Sequence, residues 1–262
     1  MASRKGQTSS PLDTCQPYAH ERVKLAETPL ESELDHLSES CPSEAQYPNC
    51  EVDIEGEWAQ EHEIKGLPDA TVFYQHEFID EVTANQWYTQ LTELETWYRP
   101  TLSMYGKPYV QSRSIASYVT SPSLTARYSG HSVKMNHPYP PLLEEIQRTV
   151  SERLGVGFDH VMLNWYQDGS VHIGKHRDTK ENQVIASLSL GAKRTFIMHP
   201  HISKGEKKVA GAEVKKWVLG NGSLLVMQGD TQENWKHEIP KEPKIKEGRI
   251  SLTFRQLVHQ KR

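Results

Sequence analysis

Arg249-Ile250-Ser251-Leu252-Thr253-Phe254-Arg255 alternates polar and apolar residues without interruption. A period of two is that of a β-strand with one face against an apolar core. Ile250, Leu252 and Phe254 then share the core face, and Arg249, Ser251, Thr253 and Arg255 share the other. A strand rises about 3.3 Å per residue, so the two arginines stand roughly 20 Å apart along the backbone. Either they are two surface cations on an edge strand, or their planar forks reach toward each other and grip the two ends of a short dicarboxylate.

A second strand, His160-Val161-Met162-Leu163-Asn164-Trp165-Tyr166-Gln167, places Asn164 and Tyr166 on one face. An amide and a phenol two residues apart are polar handles for a small acid, although a strand tyrosine is also a common core residue. Between these strands lie Gly174-Lys175-His176-Arg177-Asp178 and Asn234-Trp235-Lys236-His237. Two imidazoles and a carboxylate in the order His176, Asp178, His237 match a facial triad, which holds Fe(II) on one side and leaves the other positions open for a co-substrate and O2. The chain has 13 His and 34 Asp plus Glu, so a lone His-x-Asp pair also arises by chance. The triad therefore takes its weight from the strands on either side of it.

Further candidate strands are 184–190, 194–199, 213–218 and 223–228, with Ala70-Thr71-Val72-Phe73-Tyr74 opening the domain. Two helices precede most of them. Asp80 suits the N-cap of a helix running to about Tyr98, with Trp87, Leu91, Leu94 and Tyr98 on one face. Pro141 suits the first turn of a helix ending at Leu154, and Gly155 suits the position just past it. Leu142, Ile146 and Val150 form its apolar stripe. The Lys-rich stretch 203–208 reads as an exposed hairpin tip. Short strands split by Gly and Asn turns, after helices, predict an α+β but mostly β fold: a jelly roll with supporting helices.

The 262 residues allow one domain of roughly 200 residues plus a tail. Residues 1–63 are rich in Ser, Pro and Glu and show no sustained period, which predicts a mostly disordered acidic tail with a short acidic helix over 26–40. Residues 64–262 form the expected domain. Residues 1–100 hold 6 Lys plus Arg against 20 Asp plus Glu, whereas residues 101–262 hold 24 against 14. The basic part carries every motif, which favours a polyanionic partner such as nucleic acid. Cys15, Cys41 and Cys50 are the only cysteines. Their odd number and confinement to the tail argue against a secreted disulfide framework and for a reducing intracellular compartment, nuclear or cytoplasmic. No run approaches a membrane span, and a monomer is expected.

Taken together, these segments resemble the AlkB-type Fe(II)/2-oxoglutarate dioxygenases. The resemblance rests on Asn164-Trp165-Tyr166-Gln167-Asp168-Gly169, His176-Arg177-Asp178, Ile185 through Gly191, Gly222 through Gly229 with Trp235-Lys236-His237, and Arg249 through Arg255. These motifs occur in the family's order and cover about residues 65 to 258. The resemblance implies a double-stranded β-helix in which His176, Asp178 and His237 ligate iron and act in catalysis. It implies that Asn164, Tyr166, Arg249 and Arg255 bind 2-oxoglutarate. It also implies oxidative demethylation of N-alkylated bases in DNA or RNA, with release of formaldehyde.

Residues 113–118 and 124–130 resemble the family's nucleotide-recognition lid. Tyr118 and Tyr128 are candidates to stack on a flipped base, with His172 flanking the pocket. Members that act on nucleic acid usually carry an acid two positions after the metal Asp. Here that position holds Lys180, with Glu181 beside it as the candidate replacement. A lysine there leaves open a second reading: the same chemistry on a protein or a small molecule. A third, a binding module on a retained fold, is disfavoured because a retired site would be free to lose its triad and arginines.

Overall fold

The strand Arg249–Arg255 forms as the alternation predicts, and all seven of its residues are buried. The computed structural model describes residues 54–104, 107–124, 127–128, 131–178, 183–201 and 211–256, with side chains for all of these except 102–104, 127–128 and 131–132. In chain order the elements are α1 (Glu57–His62), β1 (Thr71–Gln75), α2 (Glu81–Thr92), β2 (Thr101–Met104), β3 (Lys107–Val110), β4 (Ser114–Val119), β5 (Arg127–Tyr128), β6 (His131–Ser132) and α3 (Pro141–Leu154). They continue with β7 (His160–Tyr166), β8 (Ile173–His176), β9 (Val184–Gly191), β10 (Arg194–Pro200), β11 (Lys215–Leu219), β12 (Ser223–Gln228), α4 (Thr231–Asn234), β13 (Trp235–Ile239) and β14 (Arg249–Arg255).

Two antiparallel sheets carry the fold. The larger runs β1-β12-β9-β14-β7-β4 and the smaller β11-β10-β13-β8. From β7 onward the chain passes back and forth between them: β7, β9, β12 and β14 enter the larger sheet, and β8, β10, β11 and β13 the smaller. That winding is a double-stranded β-helix, the expected jelly roll. Both faces of the larger sheet are covered, so its central strands β9, β14 and β12 are buried along nearly their whole length.

Each face has its own apolar core. On the outer face Ile250, Leu252 and Phe254 of β14 pack with Leu188 and Leu190 of β9, Leu163 of β7, and the buried stripes of α2 (Trp87, Leu91) and α3 (Leu143, Ile146, Val150). Between the sheets Ile185, Leu225 and Met227 meet Phe196, Met198, Trp235 and Ile239. At about 25 cal/mol per Å2, this burial on both faces is the main stabilising term.

The helix ends follow their sequence signals. Asp80 accepts a hydrogen bond from Thr83 N–H at 3.0 Å and caps α2. Pro141 opens α3, and Gly155 closes it at φ 66°, a left-handed conformation that suits glycine. Gly191 is held more tightly. It has φ +86°, and a Cβ there would stand 2.5 Å from the Gly248 carbonyl oxygen.

Several expectations change. α2 ends at Thr92, not near Tyr98, because Tyr98 exchanges two backbone hydrogen bonds with Ile115, at 3.0 and 2.8 Å, and so joins the sheet edge. The strand expected at 213–218 runs from Lys215 to Leu219. The segment read as a lid at 113–118 is mostly β4, an edge strand of the larger sheet paired with β7. The domain also starts before residue 64. Ile54 lies in the outer core, its N–H donates to Gln228 Oε1 at 2.8 Å, and Trp58 Nε1 donates to Gln75 Oε1 at 2.8 Å. A polar, patternless stretch hid these anchors, since three residues, Ile54, Trp58 and Ala59, carry the packing. The tail up to residue 53, its expected helix 26–40, and the Lys-rich stretch 203–208 lie outside the described residues.

Candidate active site

β14 aims its polar face between the sheets. By register Arg249 lies opposite Tyr166, Ser251 opposite Asn164, Thr253 opposite Met162 and Arg255 opposite His160. On its other side Ser251 meets Ser189, and Thr253 meets Ser187. The result is a polar floor on an otherwise apolar layer, and it lines a cavity with Asn164, Tyr166, His176, Asp178, His237, Arg249 and Arg255 on its wall. All seven residues expected to bind metal or co-substrate meet there.

The smaller sheet supplies the imidazoles. His176 ends β8 and His237 lies in β13, directly opposite it in register. Their rings meet edge to face with centroids 4.4 Å apart, and His237 stacks on Phe196 at 5.4 Å. His176 Nδ1–H donates to the Gly174 carbonyl at 2.9 Å, which leaves Nε2 as a bare lone pair. Asp178 follows β8. Its N–H donates to Gln232 Oε1 at 3.0 Å, and its carboxylate lies 3.7 Å from His237 Nε2. Arg255 Nη2 donates to Asp178 Oδ1 at 2.5 Å.

Protonation follows from burial and these neighbours. Burial pulls His237 down to about 3, and His176 reinforces the effect. Burial also lowers His176, partly opposed by Asp178. For Asp178 burial works the other way, but Arg255, then His237 and His176, outweigh it and hold the carboxyl at about 2. Two neutral imidazoles and one carboxylate at neutral pH form the donor set that Fe(II) accepts. Among the described residues no group of three His, Cys, Asp or Glu side chains is placed to hold a metal ion. His176, Asp178 and His237 line one cavity, in which Asp178 is engaged by Arg255. The chemistry of the set fits the metal.

Arg249 marks the far end of the site. It is only 2% exposed. Nη2 donates to Ser189 Oγ at 2.7 Å and to Ser251 Oγ at 3.3 Å, and the guanidinium lies 5.3 Å from the Tyr166 ring centroid. Its Nε and Nη1 are buried and have no partner. Burial lowers it to about 10, opposed by Tyr166, so it remains a cation at neutral pH. A buried cation with two unused donors calls for an anion, and a carboxylate matches its fork.

Arg113 and Arg194 went unassigned in the sequence. Arg113 Nε donates to Asn164 Oδ1 at 2.8 Å, which fixes the orientation of that amide. Strand parity was the available signal: Arg113 precedes Ile115 and Ser117 at the inward-facing period. Arg194 is buried and donates to Glu242 and to the carbonyls of Asp168, Val171 and Pro240, tying two loops beside the site. No sequence pattern marked it.

The expected base-contacting residues divide. Tyr118 does not join the cavity. It pairs with Val161 on the outer face, packs edge to face on Tyr139 at 5.9 Å, and hydrogen-bonds Thr96 Oγ1 at 2.7 Å. Its position in β4 has the wrong parity. His172 flanks the cavity without lining it. Its Nδ1 is buried without a partner, and burial, then Lys241 and Arg113, lower its affinity for a proton. The side chain of Tyr128 and residues Lys180 and Glu181 lie outside the described residues.

A double-stranded β-helix with a two-His, one-carboxylate set at one end of its cavity and a buried arginine at the other defines a class: the Fe(II)-dependent oxygenases that use a dicarboxylate co-substrate. Residues 71–255 match the family described as the 2OG-Fe(II) oxygenase superfamily. The chain belongs to that family, among its AlkB-type members. It is 34% identical over 165 residues to mouse "DNA oxidative demethylase ALKBH2", covering 62% of this chain and 68% of that protein. With human ALKBH2 the figures are 35% over 161 residues, 60% and 61%. It is 32% identical over 185 residues to human "Alpha-ketoglutarate-dependent dioxygenase alkB homolog 3", covering 68% and 63%. The chain thus spans about three-fifths to two-thirds of these relatives. Among solved structures, that of OsALKBH1 aligns over 71% of this chain and 97% of its own, with a TM-score of 0.47 and 17% identity.

Proposed function

We propose that this protein is an Fe(II)- and 2-oxoglutarate-dependent dioxygenase that removes N-methyl groups from bases of DNA or RNA. One observation carries the dioxygenase reading: the buried guanidinium of Arg249, with two donors unused, shares a cavity with His176, Asp178 and His237. The printed names of the relatives, DNA oxidative demethylases among them, support the substrate class. The charge of residues 101–262 supports it too, with 24 basic residues against 14 acidic ones.

His176, Asp178 and His237 would hold the metal. Arg249 would take the distal carboxylate of 2-oxoglutarate, with Ser189 and Ser251 holding the arginine in place. Asn164 and Tyr166 would contact the co-substrate along its length, and Arg255 would serve its metal-proximal end while steadying Asp178. With O2, the bound iron and co-substrate would supply oxidation of a methyl C–H bond, coupled to loss of CO2 and formation of succinate. The hydroxylated methyl group on nitrogen then leaves as formaldehyde and restores the base. The apolar residues of the smaller sheet, Phe196, Leu219 and Ile239, wall the cavity against bulk water. An intracellular site of action, nuclear or cytoplasmic, and a monomeric state go with this reading. Among the described residues no helix is long and apolar enough to cross a membrane.

The test is incubation with Fe(II), 2-oxoglutarate and a panel of N-methylated adenine and cytosine oligonucleotides, as single and double strands of DNA and RNA. Mass spectrometry should show loss of one methyl mass together with succinate. Succinate formed without demethylation of any oligonucleotide would overturn the nucleic-acid reading. It would favour the alternative that Lys180 raises, a protein or small-molecule substrate.

A further inference from the structure

His160 is a buried histidine that none of the roles above uses. It begins β7, is 1% exposed, and lies on the inward face directly opposite Arg255. Nε2 is 2.8 Å from Ser117 Oγ, and Ser117 Oγ donates in turn to Met135 Sδ at 3.1 Å. A hydroxyl has one proton. With that proton on the sulfur, Ser117 accepts from His160 Nε2–H, and Nδ1 is left as a lone pair. The facing residue supports this tautomer, because a guanidinium offers only donors and would repel an Nδ1–H.

Two unmatched groups therefore sit on residues that are register partners across the strand pair. His160 Nδ1 is a buried acceptor without a partner, and Arg255 Nε is a buried donor without a partner. The ring stays neutral because burial, with Arg255 adding to it, holds its pKa at about 3. A buried polar atom left unmatched is costly, and one such atom of each kind on opposed residues makes a complementary pair.

We propose that His160 is a positioning residue for the metal centre: its Nδ1 accepts from Arg255 Nε–H, directly or through one water, and so aims the other end of that guanidinium at Asp178. The chain Ser117–His160–Arg255–Asp178 then sets the carboxylate from behind. This rests on the reading of His176, Asp178 and His237 as metal ligands. Outer partners of this kind, when removed, typically cost about 10–100-fold in metal affinity.

The experiment compares Mn(II) binding by metal-depleted wild type, His160→Leu and His160→Asn, using calorimetry, with a thermal melt of each. Leucine keeps bulk and removes the acceptor, while asparagine carries its Oδ1 acceptor on Cγ, as histidine carries Nδ1. The expected result is about tenfold weaker Mn(II) binding in His160→Leu and recovery to within about threefold of wild type in His160→Asn. Unchanged affinity in His160→Leu would overturn the proposal. So would equal losses in both variants, which would assign the effect to packing. Should His160→Leu fail to fold, His160→Asn decides alone: near-wild-type affinity is expected, and a tenfold loss overturns. A wild-type protein that binds no Mn(II) would instead remove the metal-centre reading on which the proposal stands.

Discussion

Arg249 and Arg255 differ in their partners, although both lie on one face of one strand. Arg249 has two donors without a partner, whereas Arg255 is engaged by Asp178. Truncating Arg249 to Ala should raise the KM for 2-oxoglutarate by about 10–100-fold, the worth of charge-assisted hydrogen bonds, and leave Mn(II) affinity intact. Arg255→Ala should weaken both. A steady-state titration and a metal titration on each variant separate the two, and equal behaviour of the two variants would refute the division. Replacing His176, Asp178 or His237 by Ala should abolish succinate formation while circular dichroism stays unchanged. Acid should also reveal the buried imidazoles. Between 6.5, the ordinary value, and about 3, unfolded His237 takes a proton that the folded site refuses, and His160 behaves alike. Stability of the metal-free protein should therefore fall as pH drops through that interval. Asp178 adds its loss only further down, from its ordinary 3.8 toward about 2. A melting midpoint that stays level from neutral pH down to about 4 would contradict this.

At the scale of the element, parity decides each residue's task. Leu252 and Thr253 are neighbours in β14, yet Leu252 enters the helix-side core and Thr253 lines the cavity. Leu252→Ala should cost about 2–5 kcal/mol in chemical denaturation without shifting the KM for 2-oxoglutarate. A large KM change with little loss of stability would place Leu252 on the wrong face. β4 shows how such parity is misread. The resemblance assigns its residues to a lid, with Tyr118 a candidate to stack on a base. Pairing with β7 instead turns Tyr118 toward Tyr139 and Ser117 toward His160. One residue of offset exchanges a core tyrosine for a site residue.

At the scale of the whole molecule, the boundary of the domain and its charge are linked. Ile54 and Trp58 anchor the start of the fold on β12 and β1. A chain of residues 54–262 should keep full activity, and a chain of residues 64–262 should melt at a lower temperature. Removing residues 1–53 leaves 26 basic residues against 24 acidic ones, so the net charge changes sign from −4. The 54–262 protein should bind oligonucleotides more tightly than the full chain at low salt, and the affinity should fall steeply as salt rises, because phosphate contacts release counterions. Binding that is indifferent to salt would undermine the nucleic-acid partner.

What the sequence determined by itself is what depends on short-range periodicity and on covalent order. The alternation of residues 249–255 specifies a strand with two unlike faces, Asp80, Pro141 and Gly155 specify helix ends, and the resemblance carried by five motifs pointed to the candidate metal and co-substrate residues. Those positions assemble in one cavity because all but Asp178, which follows β8, lie on strands that place them on the inward face. What only the tertiary structure decided depends on which strands become neighbours. It turned Tyr118 into the core, extended the domain to Ile54, engaged Arg255 with Asp178, brought Arg113 to Asn164 and set His160 opposite Arg255. Pairing across 51 residues, as between Arg113 and Asn164, leaves no trace in local pattern. It comes from sheet register, which is fixed by burial of both faces at once.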